Sequence, residues 1–277
     1  MPYFVLRDKT RIYYEDHGQG EPIVFLHGLG ASHQSIAAFI NEFKGEYRCI
    51  SYDHRGHGSS THNGIHMNLK NLAQDLHELL DYLDLKDVTV IGHSLGGATI
   101  FSYVSQFGCE RIKRIVNVDI SPCASNRDWK GGLGRGEWTD ADFLDDIDRY
   151  FDDWAYECWV ITKELMSPAL KALPPEAEPA MILNCKEFNE CDALTGAALW
   201  YSVFRTDNRA AADQITVPFL YVLPETPICS TVAVDFLREH VKGSFSVAGP
   251  FPDTSHMILM ETPVPVAEQV KHFIKEN

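Results

Sequence analysis

A chain of 277 residues, 45% hydrophobic and 23% charged, has the composition of a soluble globular enzyme and can bury a sizeable core in one or two domains. A formal net charge of −15 argues against nucleic acid and anionic membrane surfaces as partners, and works modestly against anionic substrates. There is no secretory-type leader, no run near the ~18 apolar residues of a membrane span, and no C-x-x-C pair among the seven cysteines, so reduced thiols in the cytoplasm are expected.

Tyr3-Phe4-Val5-Leu6 and Arg11-Ile12-Tyr13-Tyr14 flank a polar Asp8-Lys9-Thr10 turn and predict a hairpin over residues 2–16. Ile23-Val24-Phe25-Leu26 reads as a buried strand ending in His27-Gly28, with a helix following near Gln34–Lys44. The next strand, Tyr47–Tyr52, ends in Asp53-His54-Arg55-Gly56-His57-Gly58. Helical spacing of leucines predicts a helix over 69–83. A strand at 88–91, a helix over 95–107 and a strand at 112–120 follow. From about 123 to 205 the alternation stops. This acidic, helical stretch holds all five tryptophans and 16 Asp+Glu against 8 Lys+Arg, a net −8. Cys185 and Cys191 are expected on one helix there, without a disulfide. Alternation resumes with a strand at 217–223, a helix at 232–241, a strand near 244–247 and a last helix over 264–274.

The fold class is therefore α/β: a mainly parallel sheet with helices on both faces and a helical cap inserted after the sixth strand. Residues 1–122 and 206–277 form the core and 123–205 the cap, placed as a lid. In such sheets chemistry collects at the carboxyl ends of strands. His27-Gly28, Asp53-His54, Ser94 and Asp119 all fall at such ends. Gly92-His93-Ser94-Leu95-Gly96 reads G-x-S-x-G between a strand and a helix, the turn that holds a serine hydroxyl out above a sheet. Two histidines and an aspartate in Asp53–Gly58 could suggest a metal, and no phosphate loop is present.

Taken with Ser255-His256-Met257-Ile258, these segments resemble the α/β-hydrolase superfamily, most closely its capped, cofactor-free esterases, lactonases and non-haem haloperoxidases. The resemblance implies Ser94 as nucleophile and His256 as its base. It makes Leu29 and Leu95 the backbone donors of an oxyanion hole. It turns the Asp53–Gly58 segment into a structural turn with no metal, and it implies no cofactor. The strand that most often carries the acid leads here into Leu223-Pro224-Glu225-Thr226-Pro227, without an aspartate. Asp119, 25 residues after Ser94, is the favoured acid because a subset of the superfamily carries it there; Glu225 is the alternative. Glycine usually precedes the histidine, and Ser255 stands in its place. His27, Gly28, His93, Trp129, Trp154, Trp159 and Trp200 are expected around the pocket. The clustered Asp145, Asp146, Asp148, Asp152 and Asp153 are expected on a solvated helix face. The implied activity is hydrolysis of a small, largely apolar ester. The alternatives are a lactonase or perhydrolase on the same site, or a non-catalytic binding protein on the same fold.

Overall fold

Eight strands form one sheet in the order β1-β2-β4-β3-β5-β6-β7-β8 in the computed structural model, which describes residues 3–165, 171–172 and 174–277. β1 (Tyr3–Val5), β2 (Arg11–His17) and β4 (Arg48–Tyr52) pair antiparallel, as the predicted hairpin requires. From β4 onward β3 (Pro22–Leu26), β5 (Val88–His93), β6 (Ile112–Val118), β7 (Phe219–Pro224) and β8 (Phe245–Phe251) run parallel. The order reverses around β3, whose neighbours are β4 and β5, so a crevice opens beyond the carboxyl ends of β3 and β5.

The central strands are apolar on both faces because both are covered. On one side α1 (Leu69–Tyr82) and α2 (Leu95–Phe107) bury Leu72, Leu76, Leu79 and Phe101. On the other, α8 (Pro263–Glu276) and the short helix Ala37–Asn41 bury Val266, Val270, Phe273 and Phe39. The helix expected near 34–44 is shorter: a 3₁₀ turn at His33–Ile36, capped by Ser32, precedes five helical residues. The last strand is longer than expected, running to Phe251. The helix between β7 and β8 is α7 (Val232–His240).

Between β6 and β7 lie α3 (Asp140–Asp152), α4 (Trp154–Leu165), α5 (Glu178–Phe188) and α6 (Ala193–Arg205). Local signals start two of them. Thr139 and Asp142 form a reciprocal capping box on α3, and Asp192 caps α6 by accepting from the Thr195 N–H. An antiparallel bridge between Cys123 and Asp207 joins the outgoing and returning chain at the neck of the insertion. The cap core stacks Phe143 on Phe204 at 4.0 Å and sets Trp138 edge-on to Trp200. Two expectations fail here. Cys185 lies on α5 but Cys191 lies in the loop beyond it, so the two do not share a helix. Asp146 is not solvated: it is buried, and it accepts from the Trp200 indole at 3.1 Å and pairs with Arg149. No helix among the described residues is long and apolar enough to cross a membrane.

Candidate active site

Ser94 occupies the turn between β5 and α2 at φ 53°, ψ −116°, a left-handed-side conformation that costs energy for a residue with a Cβ. Glycines make the turn possible. A Cβ on Gly92 would lie 2.5 Å from the Gly96 carbonyl carbon, and one on Gly96 would lie 2.4 Å from the Leu26 oxygen. Strand, helix and β3 therefore pass in direct backbone contact. The strain is held because Ser94 N–H donates to Val118 O on β6 and Ser94 O accepts from Ala98 N.

His256 follows β8 and lies against the same cavity as Ser94. Its Nδ1 sits 2.8 Å from Asp119 Oδ2, and Asp119 is fully buried just past the end of β6. A carboxylate only accepts, so Nδ1 carries the proton and Nε2 keeps its lone pair for a substrate-side proton. Asp119 Oδ2 also accepts from the Ile228 N–H at 2.9 Å, and the residue adopts φ 47°. Of the two acids weighed from the sequence, Asp119 is the one that meets His256. Glu225 is exposed, and its carboxylate instead accepts from the Asp253 N–H at 2.7 Å. No hydrogen bond joins Ser94 Oγ to His256 Nε2; such pairs commonly sit loose and tighten when substrate binds.

Ser255 does not force an unusual backbone: its φ is not positive. Its N–H and hydroxyl both engage Glu261, at 2.7 and 2.8 Å, which ties the His256 loop to the short helix Ile258–Glu261. A second tie comes from His93, whose Nε2 lies 2.7 Å from the His256 carbonyl oxygen. That oxygen cannot donate, so His93 bears its proton on Nε2 and leaves Nδ1 bare; Nδ1 is buried without a partner. Burial first, then the neighbouring His256, pushes the His93 imidazolium down to about 3, so this ring stays neutral.

Leu29 lines the cavity with Ser94, and Leu95 follows the serine directly. Leu95 is the first residue of α2, where an N–H has no acceptor within the helix and forms part of the positive end of the helix dipole. The loop carrying Leu29 is braced by its neighbours: Gly30 N–H donates to His57 Nε2 at 3.1 Å and Gly30 O accepts from the Glu190 N–H at 2.9 Å. His27 lies behind this loop rather than in the pocket, fully buried between the Gly28 carbonyl and the His54 N–H. The Asp53–Gly58 segment is likewise structural. Asp53 accepts from the N–H groups of His33 and Ser59, and Arg55 forms a buried bidentate pair with Asp75. Burial holds the His57 imidazolium down to about 3, leaving Nε2 an acceptor for Gly30.

The cavity over Ser94 is about 680 Å³. Gly28, His93 and Trp200 line it, as expected. Trp129 does not: its indole donates to Ser125 O and its ring packs on Phe236. Trp159 is buried between cap helices, donating to Glu178. Trp159 packs within the cap and Trp129 packs the insertion against α7 of the core, the commoner use of a large ring. The side chain of Trp154 lies outside the described residues. The wall is completed by residues the sequence did not single out, among them Tyr150, Met181, Glu190, Met257 and Met260. Met257 and Met260 could have been found from their spacing to His256; the cap residues carry no local signal.

A family model described as "alpha/beta hydrolase fold" matches residues 21–151. A non-heme chloroperoxidase of Kitasatospora aureofaciens is 38% identical over 126 residues, 44% of this chain and 45% of that protein. Esterase YbfF of Escherichia coli is 32% identical over 108 residues, 39% and 42% of the two chains. The chain thus spans less than half the length of the curated relatives it matches. Whole-chain likeness comes from solved structures. An esterase from Exiguobacterium antarcticum superposes with a TM-score of 0.84 at 21% identity, covering 99% of this chain and 98% of that one. An enol-lactonase from Burkholderia xenovorans gives 0.78 at 19%, covering 99% and 100%.

Proposed function

We propose that this chain, which has the α/β-hydrolase fold, is a hydrolase that cleaves carboxylic esters of small, largely apolar substrates through a Ser94 acyl-enzyme. One observation carries the reading: a strained serine in a large apolar cavity shares that cavity with a histidine whose far nitrogen is held by a buried carboxylate.

Ser94 Oγ attacks the ester carbonyl while His256 Nε2 takes its proton. The oxyanion forms between the Leu29 and Leu95 N–H groups. Asp119 holds the tautomer and stabilises the imidazolium. The C–O bond breaks, and the alcohol leaves with the proton from His256. Water then gives a proton to His256 and its oxygen to the acyl carbon, and collapse returns Ser94 with the free acid.

The test is a fluorophosphonate probe followed by activated short-chain esters and lactones of increasing size. Covalent labelling that disappears in Ser94→Ala supports the reading; no labelling of the folded protein overturns it in favour of a non-catalytic binding role. Asp119→Asn loses on the order of 10⁴-fold in kcat, as expected when the histidine is left in the wrong tautomer. Glu225→Gln leaves the rate close to wild type, and a larger loss there than in Asp119→Asn would reverse the assignment of the acid.

A further inference from the structure

One wall of the cavity is polar. Beside Gly30 it presents Gln34, Ser35, Asn189 and Glu190, while Trp200, Ile161 and three methionines make up much of the rest. Asn189 is already engaged: its amide nitrogen reaches Cys158 Sγ and its oxygen accepts from the Cys191 N–H. Glu190 is different. Its main chain is fixed by two bonds to the core, N–H to Gly30 O and O from Gly58 N, both at 2.9 Å. Its carboxylate makes no hydrogen bond or ion pair among the described residues. A carboxylate on the wall of a largely apolar cavity, with no protein partner of its own, is free to take a cation or a strong donor from a guest.

Among the described residues, no lysine or arginine lines the cavity to supply that cation. His33 feels the Glu190 charge, but it is committed to Asp53 at 2.7 Å and to Glu15 at 3.6 Å. Arg135 lines only an adjoining recess of about 50 Å³ that shares Trp200 and Ile228 with the main cavity. Two further features favour a positive guest. Tyr150 and Trp200 line the same cavity, and aromatic faces attract ammonium groups. The net charge of −15 draws cations toward the protein before contact.

We propose that Glu190 is a cation-binding subsite, and that the preferred substrates are esters carrying a protonated or quaternary amine. The substrate class rests on the ester-hydrolase reading of Ser94; the subsite itself does not. Two series of activated esters test it, with a trimethylammonio group or its isosteric tert-butyl group placed on the acyl side or on the alcohol side. Each rate is corrected by the alkaline hydrolysis rate of the same ester. In one series the cationic ester is expected to be preferred about tenfold in kcat/KM, with the preference falling as salt is added. Glu190→Gln collapses that ratio, and Glu190→Asp, which keeps the charge, retains most of it. Equal or reversed preference in both series of the wild type overturns the proposal, as does a preference that survives in Glu190→Gln. A second arm needs no turnover: phenyltrimethylammonium, followed by tryptophan fluorescence, binds Ser94→Ala protein and binds its Glu190→Gln double variant about tenfold more weakly. Equal affinities overturn the subsite. Clear binding with no ester turnover and no fluorophosphonate labelling overturns the hydrolase reading and leaves the subsite standing.

Discussion

His93 shows how one side chain can serve another through the main chain. Its Nε2–H holds the carbonyl of His256, and its ring lies 4.8 Å from the His256 ring. Displacing an imidazole by an ångström can cost on the order of 10²-fold, so the donor matters more than the ring. His93→Phe is expected to lower kcat by roughly 10²-fold with KM nearly unchanged, and His93→Gln, which restores an N–H, to recover part of the loss. Equal impairment of the two variants would make His93 a packing residue only. Because burial keeps this ring neutral down to about pH 3, it adds no second ionisation to the pH–rate profile near neutrality. Ser94 and His256 were legible in the chain because each belongs to a short pattern tied to a strand end. Asp119 could be only preferred over Glu225, since which carboxylate reaches His256 depends on where the β6 and β7 ends lie relative to the β8 loop. Glu190 had no signal at all: what distinguishes it is a contact with Gly30, 160 positions away in the chain.

At the level of elements, the cap helices meet in an ionic cluster whose carboxylates are buried and whose arginine is partly exposed. Arg149 on α3 bridges Asp146 on the same helix and Glu157 on α4, while Asp146 takes the Trp200 N–H from α6. One guanidinium faces two carboxylates, so burial pushes the Glu157 carboxyl up to about 7 and raises Asp146 as well. Asp142 pushes Asp146 the same way, and Tyr150 and Cys158 lie close enough to feel the Glu157 charge. In the unfolded chain Glu157 loses its proton near pH ~4.3. Between there and about 7 the folded cap keeps a proton that the unfolded chain has released, so stability falls as pH rises through that window and levels off above it. Urea denaturation at several pH values should show this slope, and Glu157→Gln should flatten it; an unchanged slope in the variant would assign the dependence elsewhere. That the insertion is helical could be read from sequence, but its individual helices, the burial of Asp146 and the inward turn of Trp200 rather than Trp129 could not. Those outcomes depend on how amphipathic helices pack on one another, and several packings satisfy the same apolar pattern.

For the whole molecule, the −15 charge is spread over a fold whose sheet is already well buried. Self-repulsion of that size destabilises the compact state, and salt screens it. The melting temperature should therefore rise as sodium chloride is added from low concentration to about 0.15 M, where the screening length is ~8 Å; a flat or falling curve in differential scanning would show that local pairs such as Arg48–Asp16 and Arg111–Asp81 dominate instead. The parallel sheet, its order of elements and the insertion after the sixth strand were all legible, because alternation of strand and helix leaves few ways to build a sheet. The contact between the Glu190 N–H and the Gly30 carbonyl reaches further. If the Leu29 N–H receives the oxyanion as proposed, this bond ties the insertion to the loop that carries the donor, and neither can shift without pulling on the other.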